Sequence, residues 1–323
     1  MCTAISAKAD DHYFGRNLDY HFDFGEKIVI TPRKYKFEFS NGTVSDSHYA
    51  IIGSAVMNRG YPLYFDATNE KGLSVAGLNF PWYAKYNEKT DGKNNIASFE
   101  FIPYILSECA TVKDVQKVLS DANITNLAFD TDFQPTPLHW IVADSEMALV
   151  LEQTDKGVQV YENEPGVLTN SPPFDMQIVN LENYANLVPF NRKPEIFESL
   201  DFPFYSKGMG AIGLPGDCSS MSRFVRASFI KKCCRFGETE RERVSSFFHI
   251  LNSVYHIKGI TRDKNELQMT HYSSCCNTDK GIYYYTTYYN CEINGVDMHR
   301  ENLDSDRVIA YDFVRNTDIN ITN

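Results

Sequence analysis

The sequence predicts an α+β fold, on three observations. Strand signals come in runs instead of alternating singly with helices, helix signals fall between two such runs, and most neighbouring strands are joined by short polar turns. The first run opens with a hairpin. Residues 2–7 alternate small or apolar with polar side chains, residues 8–11 are turn-like, and residues 12–16 resume extended character. Further strands are expected at 27–30, 50–56, 73–78, 138–143 and 148–152. Helices follow. Thr111 with Asp114 reads as a capping pair opening a helix to about 119, and residues 219–234 and 240–255 carry apolar side chains at three and four spacing. A second run of strands is expected at 268–274, 282–287 and 308–313.

Composition narrows the class. The chain has 323 residues, 43% of them hydrophobic, enough for a sizeable core, and no linker-like stretch divides it, so a single domain over 1–323 is expected. Acidic residues outnumber basic ones 42 to 31, for a net charge of −11, which argues against a nucleic-acid partner. Residues 1–20 hold Lys8, Asp10, Asp11, Arg16 and Asp19 with no apolar core of a leader, and no window approaches ~18 uninterrupted apolar residues. A cytoplasmic protein without a membrane span is expected, its eight cysteines mostly reduced and its Asn-x-Thr sequons without meaning.

Chemistry concentrates at Cys2. Removal of Met1, which the small Cys2 side chain permits, would give one residue both a thiol, of pKa near ~8.5, and a free α-amine, near ~7.7. A nucleophile would then carry its own base. A turn centred near residues 9–11 sets Cys2 opposite residues 17–19, at cross-strand separations of about 5 Å. Arg16 and Asp19 then lie within its reach. The guanidinium would favour thiolate, and the carboxylate would orient the amine. Spacing alone leaves open an ordinary surface hairpin with a solvated arginine and aspartate.

Other motifs read as structural. Gly208-Met209-Gly210-Ala211-Ile212-Gly213 matches a dinucleotide-binding pattern, but Leu214-Pro215-Gly216-Asp217 blocks the helix such a site needs. Vicinal Cys233-Cys234 and Cys275-Cys276 lack zinc-ligand spacing and read as buried thiols, so no metal is expected. Cys218 is a rival nucleophile before a helix start, with no base beside it. His139 and His249 sit in apolar surroundings and read as core histidines.

Seven blocks in order carry a family resemblance: Met1-Cys2-Thr3-Ala4, Phe14-Gly15-Arg16-Asn17-Leu18-Asp19, Asn69-Glu70-Lys71-Gly72-Leu73, Ala76-Gly77-Leu78-Asn79-Phe80-Pro81, Leu138-His139-Trp140, Leu168-Thr169-Asn170-Ser171-Pro172, and Gly213-Leu214-Pro215-Gly216-Asp217 followed by Ser222-Arg223-Phe224. They resemble the bile salt hydrolases of the choloylglycine hydrolase group, N-terminal-nucleophile (Ntn) hydrolases whose relatives include penicillin V acylases. The resemblance implies a four-layer αββα sandwich and removal of Met1. It further implies hydrolysis of glycine- or taurine-conjugated bile salts through an acyl-cysteine thioester, without cofactor or metal. It assigns Cys2 as nucleophile, Asp19 to orient its amine and Arg16 to favour developing negative charge. The backbone N–H of Asn79 and the side-chain amide of Asn170 form its oxyanion hole, and Arg223 supports the site electrostatically. By position it suggests Leu18, Phe24, Tyr61, Phe65, Phe80 and Phe129 as steroid contacts. An anionic bile salt would be repelled by the net charge at long range, so Arg16 and Arg223 would have to outweigh it locally. A homo-oligomer, a tetramer, is implied, with residues 187–205 as an assembly arm. Two alternatives stay open. Penicillin V acylase or another N-acyl amidase is one, although Leu78-Asn79-Phe80-Pro81 resembles the bile salt hydrolases, since the acylases more often place tyrosine at the Asn79 position. A catalytically silent binding protein, if Met1 is retained, is the other.

Overall fold

The computed structural model describes residues 1–193 and 203–322. Their strands build two large sheets, antiparallel throughout. The first runs Val167–Leu168, Cys2–Lys8, His12–Tyr20, Glu266–Asn277, Ile282–Thr287 and Asn290–Asp297, with Thr261–Asp263 paired to Glu266–Asn277. The second runs Gly157–Glu162, Ala148–Thr154, Leu138–Ala143, Ser74–Asn79, Tyr61–Asn69, Ile51–Asn58, Lys27–Thr31 and Ile309–Asp312.

Period-two alternation explains the layering, because successive side chains on a strand face opposite sides. In the second sheet Ile28, Ile30, Ile52, Ala76, Leu78 and Ile141 join the core shared with the first sheet. Their neighbours Val29, Ile51, Val75, Trp140 and Val142 join a second core with helices α1 (Phe101–Glu108) and α2 (Val112–Leu119). Helices α4 (Ser220–Cys233) and α5 (Glu240–Asn252) pack Phe224, Ala227, Phe247 and Leu251 against the first sheet. The order is helices, sheet, sheet, helices: the αββα sandwich. A fifth helix, α3 (Phe174–Glu182), lies against α4.

The opening hairpin pairs Cys2 with Leu18 and Lys8 with His12, within the expected register. Its second strand extends to Tyr20, beyond the predicted 16, because Glu266–Asn277 pairs along its other edge. Helix α2 opens on Thr111 with both capping-box bonds to Asp114. Helix α1 escapes prediction because it is buried from Phe101 through Ser107, which erases amphipathic period, and Glu100 supplies no cap bond. Helix α3 escapes because its start follows Pro173, with no side-chain cap, and only Phe174 and Gln177 are buried. Gly208 and Gly213 both adopt positive φ, and the only helical turn between them is the short Met209–Ala211, so the glycine motif opens no phosphate-binding helix. His249 is a correction. It lies on the exposed side of α5 and is not a core histidine. The proposed arm at 187–205 lies partly outside the described residues.

Buried His12 gives a prediction for pH and stability. Its ring sits between Ser6 Oγ at 2.8 Å and Thr278 Oγ1 at 2.9 Å, and burial pulls its pKa down from 6.5 to about 4. Above pH 6.5 the ring is neutral in both folded and unfolded chains. Below it the unfolded chain binds a proton that the folded protein refuses, so stability falls as pH drops from 6.5 towards 4, by up to about 3 kcal/mol from this group. Urea midpoints at pH 7 and 4.5 should diverge less for His12→Asn than for the native protein. Equal divergence would show that His12 does not carry this dependence.

Candidate active site

The site begins where the second sheet opens. Strands Tyr61–Asn69 and Ser74–Asn79 pair from Thr68↔Ser74 to Asp66↔Ala76 and no further. Across the other edge, Ser54 pairs with Asp66 and Ala55 with Tyr64, so Phe65 is the extra residue of a β-bulge. Arg16 fills the resulting gap, its Nη1 donating to Phe65 O at 3.0 Å and Gly77 O at 2.7 Å. The guanidinium is 1% exposed. Burial disfavours its charge, but the surrounding Cys2 thiol, Tyr272 and Asp66 outweigh that and raise its pKa. Asp66 is held between the sheets by donors from Tyr272 (2.6 Å), Tyr283 (2.8 Å) and Ser274 (3.1 Å). Burial pushes its pKa up against the pull of Arg16.

Asn170 joins three parts of the chain. Strand Val167–Leu168 lies along Cys2–Lys8 through Ala4↔Leu168, which delivers Asn170 beside Cys2. Its Oδ1 accepts from Cys2 N at 2.7 Å and from Arg223 Nη2 at 2.8 Å, while Nδ2 donates to Asn79 O at 2.8 Å. One amide proton of Nδ2 is left for another acceptor. Gln177 and Ser220 hold the Asn170 backbone at 2.6 and 2.8 Å. His139 braces the same segment from behind, bridging Glu152 Oε1 and Thr169 O at 3.0 Å each, and is a fully buried core histidine.

Arg223, on α4, is fully buried and donates to Cys2 O, to Thr3 Oγ1 at 2.7 Å and to Cys218 O at 3.0 Å, besides Asn170. Burial draws its pKa down, opposed by Asp19, Cys2 and Cys218. Asp19 is also fully buried. Its Oδ1 accepts from Thr270 Oγ1 at 2.5 Å, and its Oδ2 lies 3.1 Å from His256 Nδ1. Burial raises the carboxyl pKa, but His256, the terminal ammonium and Arg223 together overcome this and hold it below the ordinary value. The Met1 ammonium donates to Asp19 O at 2.5 Å, and Asp19 N donates to Met1 O at 2.9 Å.

Cys2, Arg16 and Asn79 line a cavity of about 220 Å³ whose other walls are mostly apolar. Of the six residues expected to contact a steroid, Leu18, Phe24, Phe65 and Phe129 line it. Tyr61 and Phe80 do not, which corrects their placement. Tyr61 packs behind Phe99 and Phe129, with ring centroids 6.3 and 5.5 Å away. Phe80 is wholly buried, stacked on His139 at 4.3 Å. Tyr20, Leu63, Ile102, Phe133, Leu138 and Trp140 line the cavity without having been named as steroid contacts. Their types match ordinary core residues, so no sequence signal separates them. His256, Thr270 and Asp66 were missed because each meets its partner only across the fold.

Among the described residues no group of three or more His, Cys, Asp and Glu could hold a metal. All eight cysteines are free. Burial pushes the Cys276 thiol up to about 12 and holds the Cys275 thiol well above its ordinary value. Cys233 and Cys234 are only half-buried.

Comparison with known proteins gives one answer. Residues 2–311 match the family described as linear amide C–N hydrolases, choloylglycine hydrolase family. The chain is 46% identical over 312 residues to a bile salt hydrolase/transferase of Lactiplantibacillus plantarum, covering 96% of each chain. It is 38% identical over 330 residues to a bile salt hydrolase/transferase of Clostridium perfringens, covering 100% of each. A crystal structure of a conjugated bile acid hydrolase variant from Clostridium perfringens superposes with a TM-score of 0.91, at 36% identity and complete coverage of both chains. Penicillin V acylase from Agrobacterium tumefaciens shares the fold, with a TM-score of 0.77 at 20% identity over 97% of this chain and 91% of that one. This chain belongs to the choloylglycine hydrolase family of linear amide C–N hydrolases.

Proposed function

We propose that the protein hydrolyses the amide bond of glycine- or taurine-conjugated bile salts, with Cys2 as an N-terminal nucleophile exposed by removal of Met1. The observation that carries this reading is the junction at Asn170, which ties Cys2 and Asn79, both in the wall of a largely apolar cavity, to Arg223. The curated relatives named as acting on bile salts supply the substrate class.

In this mechanism Cys2 Sγ attacks the amide carbonyl while its proton passes to the Cys2 amine. The carbonyl oxygen gathers negative charge, received by the open N–H of Asn170 Nδ2 and the backbone N–H of Asn79, each donor contributing roughly 3 to 4 kcal/mol at the transition state. The amine then protonates the departing glycine or taurine nitrogen, the C–N bond breaks, and a cholyl-type thioester remains. Water attacks that thioester, its proton returning through the same amine, and the free bile acid leaves. Arg16 favours the thiolate, and ionised Asp19 steadies the ammonium form of the amine. Cavity walls that are mostly apolar away from Cys2, Arg16 and Asn79 suit a steroid, which offers few hydrogen-bonding groups.

The whole chain acts as one catalytic domain in this reading. Free thiols throughout fit a reducing cytoplasm. No helix among the described residues is long and apolar enough to cross a membrane. Exposed Phe190 and Tyr205, 60% and 83% accessible, support assembly into a homotetramer through the arm, which light scattering would test.

The deciding experiment follows amine release from taurocholate, glycocholate and penicillin V side by side, with intact mass measured on the same sample. Rapid release of taurine or glycine by protein lacking Met1 is expected. Turnover of penicillin V alone would reassign the substrate class, and no turnover by processed protein would overturn the reading.

A further inference from the structure

The fully buried His256 has no part in the reaction as described above. It lies just beyond the C-terminal end of α5, and two contacts fix it against strand Glu266–Asn277: His256 N donates to Thr270 Oγ1 at 2.9 Å, and Thr270 N donates to His256 O at 3.0 Å. That strand carries a bulge between Thr270 and Tyr272, which brings Thr270 opposite Asp19 while Tyr272 stays opposite Leu18. Thr270 Oγ1 therefore serves twice, accepting from His256 N and donating to Asp19 Oδ1. The imidazole is left beside the second carboxylate oxygen, with Nδ1 3.1 Å from Asp19 Oδ2. The two atoms are in contact without the alignment of a hydrogen bond, neither has any hydrogen-bond partner, and Nε2 meets no acceptor. A proton on Nδ1 is the one that has an acceptor within reach, and a small rotation of the ring would align it with Asp19 Oδ2, whereas a proton on Nε2 has none.

Resting on the amidase reading above, we propose that His256 is a positioning residue: its Nδ1–H engages Asp19 Oδ2 and, with Thr270, fixes the carboxylate in the orientation and ionised form that the Cys2 amine requires. The proton exchanged between Cys2 Sγ and the amine sits on an amine whose basicity Asp19 sustains. An Asp19 free to rotate or to protonate would sustain it less. Burial makes the interaction count, because neither partner can turn to water. Other groups act on the same carboxylate: the Met1 ammonium ahead of the first strand, which processing replaces by the Cys2 amine, Arg223 from α4, Tyr255 from the segment preceding His256, and His271 from the bulged strand. Among them the ammonium and Arg223 favour its ionised form alongside His256.

Three variants test this on the Met1-processed protein: His256→Phe removes the donor, His256→Asn retains one near the Nδ1 position, and His256→Gln places its amide near Nε2. For each, two pH profiles are recorded between pH 4 and 8: kcat/KM for glycocholate, and the rate of Cys2 inactivation by iodoacetamide. Losing the imidazole donor beside the carboxylate is expected to lower kcat/KM by roughly tenfold, chiefly through kcat, and to move the acid limb upward by about one pH unit. Phe and Gln should show both changes, and Asn should recover most of each. Urea midpoints identify variants whose folding is impaired, and if Phe fails to fold the comparison of Asn with Gln decides. An unmoved acid limb, or equal losses in all three at every pH, would overturn the role. The alkylation profile needs no substrate. Absent glycocholate turnover by the native protein would count against the amidase reading, while a shifted alkylation limb would still support the His256 assignment.

Discussion

Cys2→Ser is expected to reduce amide turnover by at least about 10³-fold while leaving the fold intact, because a hydroxyl is far less ionised than a thiol at neutral pH. Serine is small enough to permit Met1 removal, so intact mass should show the same processed N-terminus as in the native chain. Cys2 is 5% exposed, and its backbone contacts to Asn170 and Arg223 do not involve the side chain, so the change of one atom leaves that framework in place. Amine release from glycocholate and taurocholate provides the measurement. A serine variant within tenfold of native turnover would move the nucleophile elsewhere, and Cys218, half-buried near the start of α4, would be examined next. Protein that retains Met1 should be equally inactive with the thiol intact, since its Cys2 nitrogen is an amide and cannot accept the proton. Comparing the two separates loss of the nucleophile from loss of the base.

Arg223→Leu is expected to cost both activity and stability. The guanidinium supplies donors to Cys2 O, Thr3 Oγ1, Cys218 O and Asn170 Oδ1 from a fully buried position. Leucine fills part of the volume but leaves those acceptors facing an apolar surface and Asp19 without one of its cations. The expected loss of stability is about 3 to 5 kcal/mol, the scale of removing one partner from a buried charged network. Turnover should fall about 100-fold or more as Asn170 loses a restraint on the oxygen that also accepts from Cys2 N. Arg223→Lys keeps the charge without the planar fork, so it should hold Asp19 better than it holds Asn170. Urea denaturation and amine release, measured where each variant is folded, check both parts. A leucine variant with native stability would show that these acceptors find other donors.

The sequence by itself determined the alternating strands, the α+β class and the opening hairpin, because these depend on local period and turn chemistry. The hairpin register that sets residues 17–19 opposite Cys2 follows from turn position, and the structure pairs Cys2 with Leu18. Helix α2 was legible through its Thr111 and Asp114 cap, whereas α1 was hidden because nearly every one of its residues is buried. Asn79, Asn170 and Arg223 could be named through family resemblance, but as isolated residues they looked like turn and helix-surface positions. Only the tertiary structure brings Cys2, Asn79 and Arg223 onto one amide side chain at Asn170. The tertiary structure also decides which aromatic residues face the cavity. Phe80 and Phe65 look alike in sequence, yet a bulge turns Phe65 to the cavity while Phe80 stacks on His139 in the core. His256 and Asp66 are the extreme cases. Their partners lie on distant strands, and a buried polar group acquires its meaning from the one group near enough to satisfy it, which no local pattern encodes.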